Sequence, residues 1–195
     1  QPGPLDDHAL ASRLSYFLWS TMPDDELLAV AGRGELKKPE VLRAQTERML
    51  KDPRSSAFVT NFTGQWLGLR NIDRTTPEPR LYPEFDPLLR WSMLEETRRF
   101  FTELLVENLS VLNFINSDFT FLNRRLAKHY GIPGVEGVEL RKVALKPEYH
   151  RGGVLAQAAI LKVTANGTTT SPVVRGVWVN DQLLGTPIPP PPPGV

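Results

Sequence analysis

Cysteine is absent from all 195 residues. That absence excludes disulfides, thiolate metal sites and a cysteine nucleophile. It does not by itself separate cytoplasm from periplasm. An excess of one charge is also lacking: 23 Lys and Arg stand against 22 Asp and Glu, a net charge of +1. The basic residues are spread along the chain, so neither nucleic acid nor a membrane surface is expected as a partner. No apolar run approaches the roughly 18 residues of a membrane span. No signal peptide is read at the start, where QPGPLDD has the character of a domain boundary.

Histidine is scarce. His8, His129 and His150 have no metal-ligand spacing to one another or to a carboxylate. The His-Glu-x-x-His and Glu-x-x-His patterns are missing, so no metal site is expected and each histidine reads as structural. His150, which begins HRGG in a polar loop, is the one most open to function. Phosphate-loop and dinucleotide-loop glycine patterns are missing, and so is the Gly-x-Ser-x-Gly elbow. No residue is therefore assigned as catalytic.

What is present is a helical pattern. The hydrophobic fraction of 41% supports a core, and the length suits one ordinary domain or two small ones. The 18 prolines are about twice the usual share and mostly act as punctuation. Helices are expected over LDDHALASRLSYFLWS, capped by Asp6 or Asp7, and over MPDDELLAVAGRGEL, KPEVLRAQTERMLKDP and PRSSAFVTNFTGQWLGLR. NIDRTTPEPRLYP reads as a loop. The longest helix follows in EFDPLLRWSMLEETRRFFTELLVEN, with Phe85, Leu89, Met93, Phe100 and Leu104 on one face. Glu95 and Arg99 are expected to pair on the wet side. SVLNFIN and FTFLNRRLAKHYG predict two short helices, capped by Ser110 and Thr120 and ended by Gly131. A small β element is expected near residues 138–146. A last helix is expected after Ser171 and Pro172, ending at Gly185. The fold class is mainly α, a bundle-like arrangement with short connections.

Three groups of residues are candidates for chemistry. Glu96, Glu103 and Glu107 could line one side of the long helix. A buried carboxylate pair there would do acid–base work, but Arg98 and Arg99 favour a solvated face. In VTANGTTTSPVVRG, Thr168, Thr169, Thr170 and Ser171 crowd before Arg175, chemistry that can hold an anion or simply cap a helix. Arg151 opens a Gly-Gly loop that could join them. Trp19, Trp66, Trp91 and Trp178 fall on apolar faces and read as core.

LASRLSYFLWSTMPDDELLAVA, NFTGQWLGLR, FTFLNRRLAKHYGIPGV and the stretch from RGGVLAQAAILKV to the terminal IPPPPPGV carry a resemblance. The first part resembles planctomycete-specific domain four. The second resembles planctomycete-specific cytochrome-like domain three. Neither has an established activity or a catalytic residue to carry over. The resemblance implies export, a c-type cytochrome domain upstream and a Cys-x-x-Cys-His haem segment soon after the proline stretch. This chain has no Cys-x-x-Cys-His, so it holds no cofactor covalently, and haem c is expected in neighbouring domains. TANGTTTSP also departs from the TSNPTRTSP type of the family.

The expected organisation is a helical domain over 1–135 and a cytochrome-like domain over 136–195, ending in a polyproline linker at 187–195. The expected function is a non-catalytic scaffold of an exported cytochrome protein, positioning the downstream haem for electron transfer. Its partners would be other domains of the same polypeptide and a redox protein. The alternative is a polymer-binding or polymer-processing module, carbohydrate in particular, with a site near Arg151 and Arg175. The expected location is extracytoplasmic.

Overall fold

Caps decide where the helices begin. The computed structural model describes residues 5–189. Helix α1 (Asp7–Trp19) starts where Asp6 accepts a hydrogen bond from Ala9 N, and α2 (Asp25–Gly32) where Asp24 accepts from Leu27 N. Helix α3 (Pro39–Lys51) starts on proline, whose missing N–H costs nothing in a first turn. Helix α4 spans Ser56–Trp66. Helix α5 (Pro87–Val106), the longest, has Asp86 as its cap. Strands β1 (Phe119–Leu122) and β2 (Arg141–Ala144) pair antiparallel, Phe119 opposite Ala144. Between them lies α6 (Arg124–Tyr130), and after them α7 (Ala158–Val163) and α8 (Pro172–Trp178). The fold is mainly α, with one small sheet.

Residues 1–62 and 63–195 form two compact units. This division follows packing, whereas the 1–135 and 136–195 segments follow resemblance. The first unit has its own core of Ala11, Leu18, Leu27, Leu36 and Met49. Trp19 is buried there and donates its indole N–H to Met49 O at 2.9 Å. The second unit's core surrounds α5, with Leu89, Met93, Phe100 and Leu104 buried among Leu122, Leu126 and Ile160.

Several expectations need correction. FTFL is not helical: residues 119–122 form β1, and Asn123, not Thr120, caps α6 by accepting from Leu126 N. The β-branched and aromatic alternation Phe-Thr-Phe favours a strand, and it has β2 to pair with. SVLNFIN gives only a 3₁₀ turn at Val111–Phe114, capped by Ser110. Trp91 is 42% exposed, not core. Glu95 pairs with Arg98 at 2.6 Å, while Arg99 donates to Leu140 O.

Asn123 explains why the word TFLN matters. Its side chain is fully buried, caps α6, and donates to Ser92 Oγ at 2.8 Å and Val138 O at 3.1 Å. One amide thus ties together α5, α6 and the approach to β2.

Candidate functional site

Glu96 is the largest departure from the expected solvated face. It is 1% exposed. On α5 it falls in the apolar stripe, three residues after Met93 and four before Phe100. Thr120 Oγ1 donates to its Oε1 at 2.7 Å, and the Tyr130 hydroxyl to its Oε2 at 2.5 Å. Burial pushes its carboxyl up to about 7, opposed by those two donors and by the charge of Arg151. Burial, and then Glu96 itself, hold the Tyr130 hydroxyl well above its ordinary value.

Arg151 belongs to this network. Its guanidinium lies 3.6 Å from the centroid of the Tyr130 ring and donates to Ala156 O at 2.6 Å. The two glycines after it let the chain press against residues 114–117. A Cβ on Gly153 would come within 2.5 Å of Phe114 O and Ile115 O, and its φ is +66°. The RGG word is therefore explained by packing.

Next to this network lies a cavity of about 350 Å³. One wall is a face of α7, Ala158, Leu161 and Lys162, continued by Ala165 just past the helix end. The facing wall is Phe85, Leu89 and Met93 at the start of α5. At the Ala158 end stand His129 and Glu84, 3.9 Å apart. Burial lowers the His129 pKa, Glu84 opposes that, and the charges of Arg151 and Arg125 add to it. At the Ala165 end stand Lys162, Arg175, Thr169 and Thr170. Lys162 donates to the carbonyls of Ile72 and of Thr75. Burial lowers its pKa.

The threonine-rich segment closes that end as a tight turn. Ala165 and Thr170 bridge, and Asn166 Oδ1 accepts from Thr168 N at 3.0 Å and Thr169 N at 2.8 Å. Gly167 has φ +94°, and its carbonyl accepts from Glu78 N at 2.9 Å. Thr168 O accepts from the Tyr82 hydroxyl at 3.0 Å. Ser171 caps α8 by accepting from Val174 N. Arg175 donates Nε to Thr164 Oγ1 at 3.2 Å and Nη2 to Thr170 Oγ1 at 2.8 Å. Thr169, Thr170 and Arg175 thus line the cavity. Thr168 and Ser171 support the turn, and Arg151 serves Tyr130 outside the lining. His8 and His150 are exposed. Lys162 and Phe85 were missed, although the spacing of 158, 161, 162 and 165 in AAILKVTA was available to find the wall.

A second feature fixes the end of the helical body. The Trp66 indole N–H donates to Gln182 O at 2.6 Å, and the Trp178 indole N–H to Leu67 O at 3.3 Å. The two indoles bracket the π-helical turn Val179–Leu183 against the end of α4. The proline run from Pro190 onward lies outside the described residues.

Among the described residues no group of three or more His, Cys, Asp or Glu could hold a metal ion. No helix there is long and apolar enough to cross a membrane. The family model PSD4, "Protein of unknown function (DUF1592)", matches residues 5–132. The model PSCyt3, "Protein of unknown function (DUF1588)", matches residues 151–195. The name of the second marks a cytochrome-like domain. No curated protein matches the chain. No solved structure matches it.

Proposed function

The chain belongs to the PSD4 family of proteins of unknown function, and from that premise we propose that it is a non-catalytic scaffold in an extracytoplasmic, cytochrome c-type multidomain protein. Its task is to hold a downstream haem segment at a set distance from the helical body. Without cysteine the chain attaches no haem covalently, so the haem lies in neighbouring domains of the same polypeptide, and a redox protein is the external partner.

One observation carries this reading: the reciprocal indole bonds, Trp66 to Gln182 and Trp178 to Leu67, pin the last helical turn just before the proline run. A spacer transmits position only if its base is fixed. The sequence goes on into five consecutive prolines, a composition suited to a semi-rigid spacer. The PSCyt3 match covers the clasped turn and the prolines together.

The carbohydrate alternative draws on the cavity beside Arg175 alone, because Arg151 is stacked on Tyr130. The mainly apolar walls suit a sugar poorly.

The test uses the natural multidomain protein. Replacing both Trp66 and Trp178 by Phe, or deleting three of the five prolines, should change the rate of electron transfer to or from the downstream haem severalfold and leave its absorption spectrum intact. Unchanged rates in both variants would refute positioning. Loss of polymer turnover with unchanged rates would favour the alternative.

A further inference from the structure

We propose that the cavity between α5 and α7 is a binding site for a small, apolar, linear monocarboxylate, its carboxylate held by Arg175 and Lys162.

Three observations converge on that ligand class. The first is shape. The side chains of Phe85, Leu89, Met93 and Leu161 give the slot apolar walls. Within α7 the helical rise of about 1.5 Å per residue puts roughly 6 Å between Ala158 and Lys162, and Ala165 lies beyond the helix end. A volume of about 350 Å³ lies at the small end of the roughly 300–1,000 Å³ range of ligand pockets.

The second observation is charge at one end. Arg175 and Lys162 reach the lining without forming an ion pair among the described residues. Their partners are two threonine hydroxyls and two backbone carbonyls. Asp73, whose charge reaches Lys162, is itself bound by Arg90. A guanidinium has five N–H donors and an ammonium three. The bonds named leave donors on both groups for an acceptor in the slot. A cation held in an apolar cavity without a counter-charge is suited to a carboxylate, with which it forms charge-assisted hydrogen bonds.

The third observation is charge at the other end. Glu84 lies there beside His129, whose pKa is lowered by burial and by two arginines. A carboxylate would meet Glu84 there with no cation in the lining to offset it. The polarity of the slot therefore sets both orientation and selectivity. One acid group is accepted, at the Arg175 end, and a second at the far end is refused.

Octanoate is the probe, with octan-1-ol and octanedioate as its neutral and doubly charged analogues, titrated into the chain by calorimetry. Octanoate should bind saturably with one site, and each analogue at least about tenfold more weakly. Arg175→Met should weaken octanoate at least about tenfold. Leu161→Trp fills the slot while keeping both cations in the sequence and should abolish binding, so the proposal stays testable if the arginine variant does not fold. Absence of saturable octanoate binding to the folded chain would overturn the proposal. So would equal affinity for octan-1-ol or octanedioate, or undiminished binding by Leu161→Trp.

Discussion

The Tyr130 hydroxyl donates to Glu96 Oε2 at 2.5 Å and accepts from Ala158 N at 2.6 Å, so one phenol joins α5, α6 and α7. Three helices meet at this oxygen inside the second unit. Close by, both Gln157 side-chain polar atoms are buried without a hydrogen-bond partner among the described residues.

Tyr130→Phe should strand Glu96 Oε2 and the Ala158 N–H, while Thr120 Oγ1 keeps its bond to Glu96 Oε1. Each stranded group costs about 1–3 kcal/mol. We expect a loss of about 3 kcal/mol in urea unfolding, and a loss under about 1 kcal/mol would mean that water or relaxation supplies the missing bonds.

Glu96 sets a pH dependence. Its folded pKa is raised from 4.5 to about 7. Between these values the folded chain holds a proton that the unfolded chain has released. Its contribution to stability is fully present below pH 4.5 and lost as pH rises through 7, on the order of 3 kcal/mol in all. Glu96→Gln should gain on the parent protein by that amount between pH 4.5 and pH 8. Taking the difference between the two proteins cancels His129, whose lowered pKa acts with the opposite sign. A pH-independent difference would contradict the buried carboxyl.

Gly153→Ala and Gly137→Ala separate crowding from backbone strain. Both glycines have positive φ, +66° and +86°, but only Gly153 has backbone oxygens within 2.5 Å of the added Cβ. Gly137→Ala should cost about 1 kcal/mol, and Gly153→Ala more than about 4 kcal/mol or the fold itself. Thermal melts compare the two.

Arg151 and Arg175 should part company. Arg151→Met removes the stacked cation from Tyr130 and should lower stability by about 1–2 kcal/mol. It should leave octanoate binding unchanged, since Arg151 is outside the cavity lining. Weakened binding in a folded Arg151→Met would show that the two loops share one site.

Most helices were legible because their caps are local. Asp6, Asp24 and Ser171 stand directly before the turns they close, and Pro39 and Pro172 open theirs. What failed was non-local. Phe119–Leu122 needs β2, about twenty residues later, to be a strand, and propensity over four residues cannot supply that partner. The charged neighbours of Glu96 point to a solvated face, but its place in the stripe with Met93 and Phe100 is the stronger signal. The cavity was half legible: Thr169, Thr170 and Arg175 stood out as a cluster, but Phe85 and Lys162 come from segments 77 residues apart in the chain.

The central claim is that the body fixes the point from which the chain leaves toward its neighbour. Because the chain has no cysteine, spin labels attach only where cysteines are introduced. Val106 and Ile188 are exposed and suit Val106→Cys and Ile188→Cys. Pulsed electron paramagnetic resonance should give one narrow distance distribution for this pair, and a broad one once Trp66 and Trp178 are both replaced by Phe. A broad distribution before that replacement, or a narrow one that survives it, would contradict the clasp and the scaffold built on it.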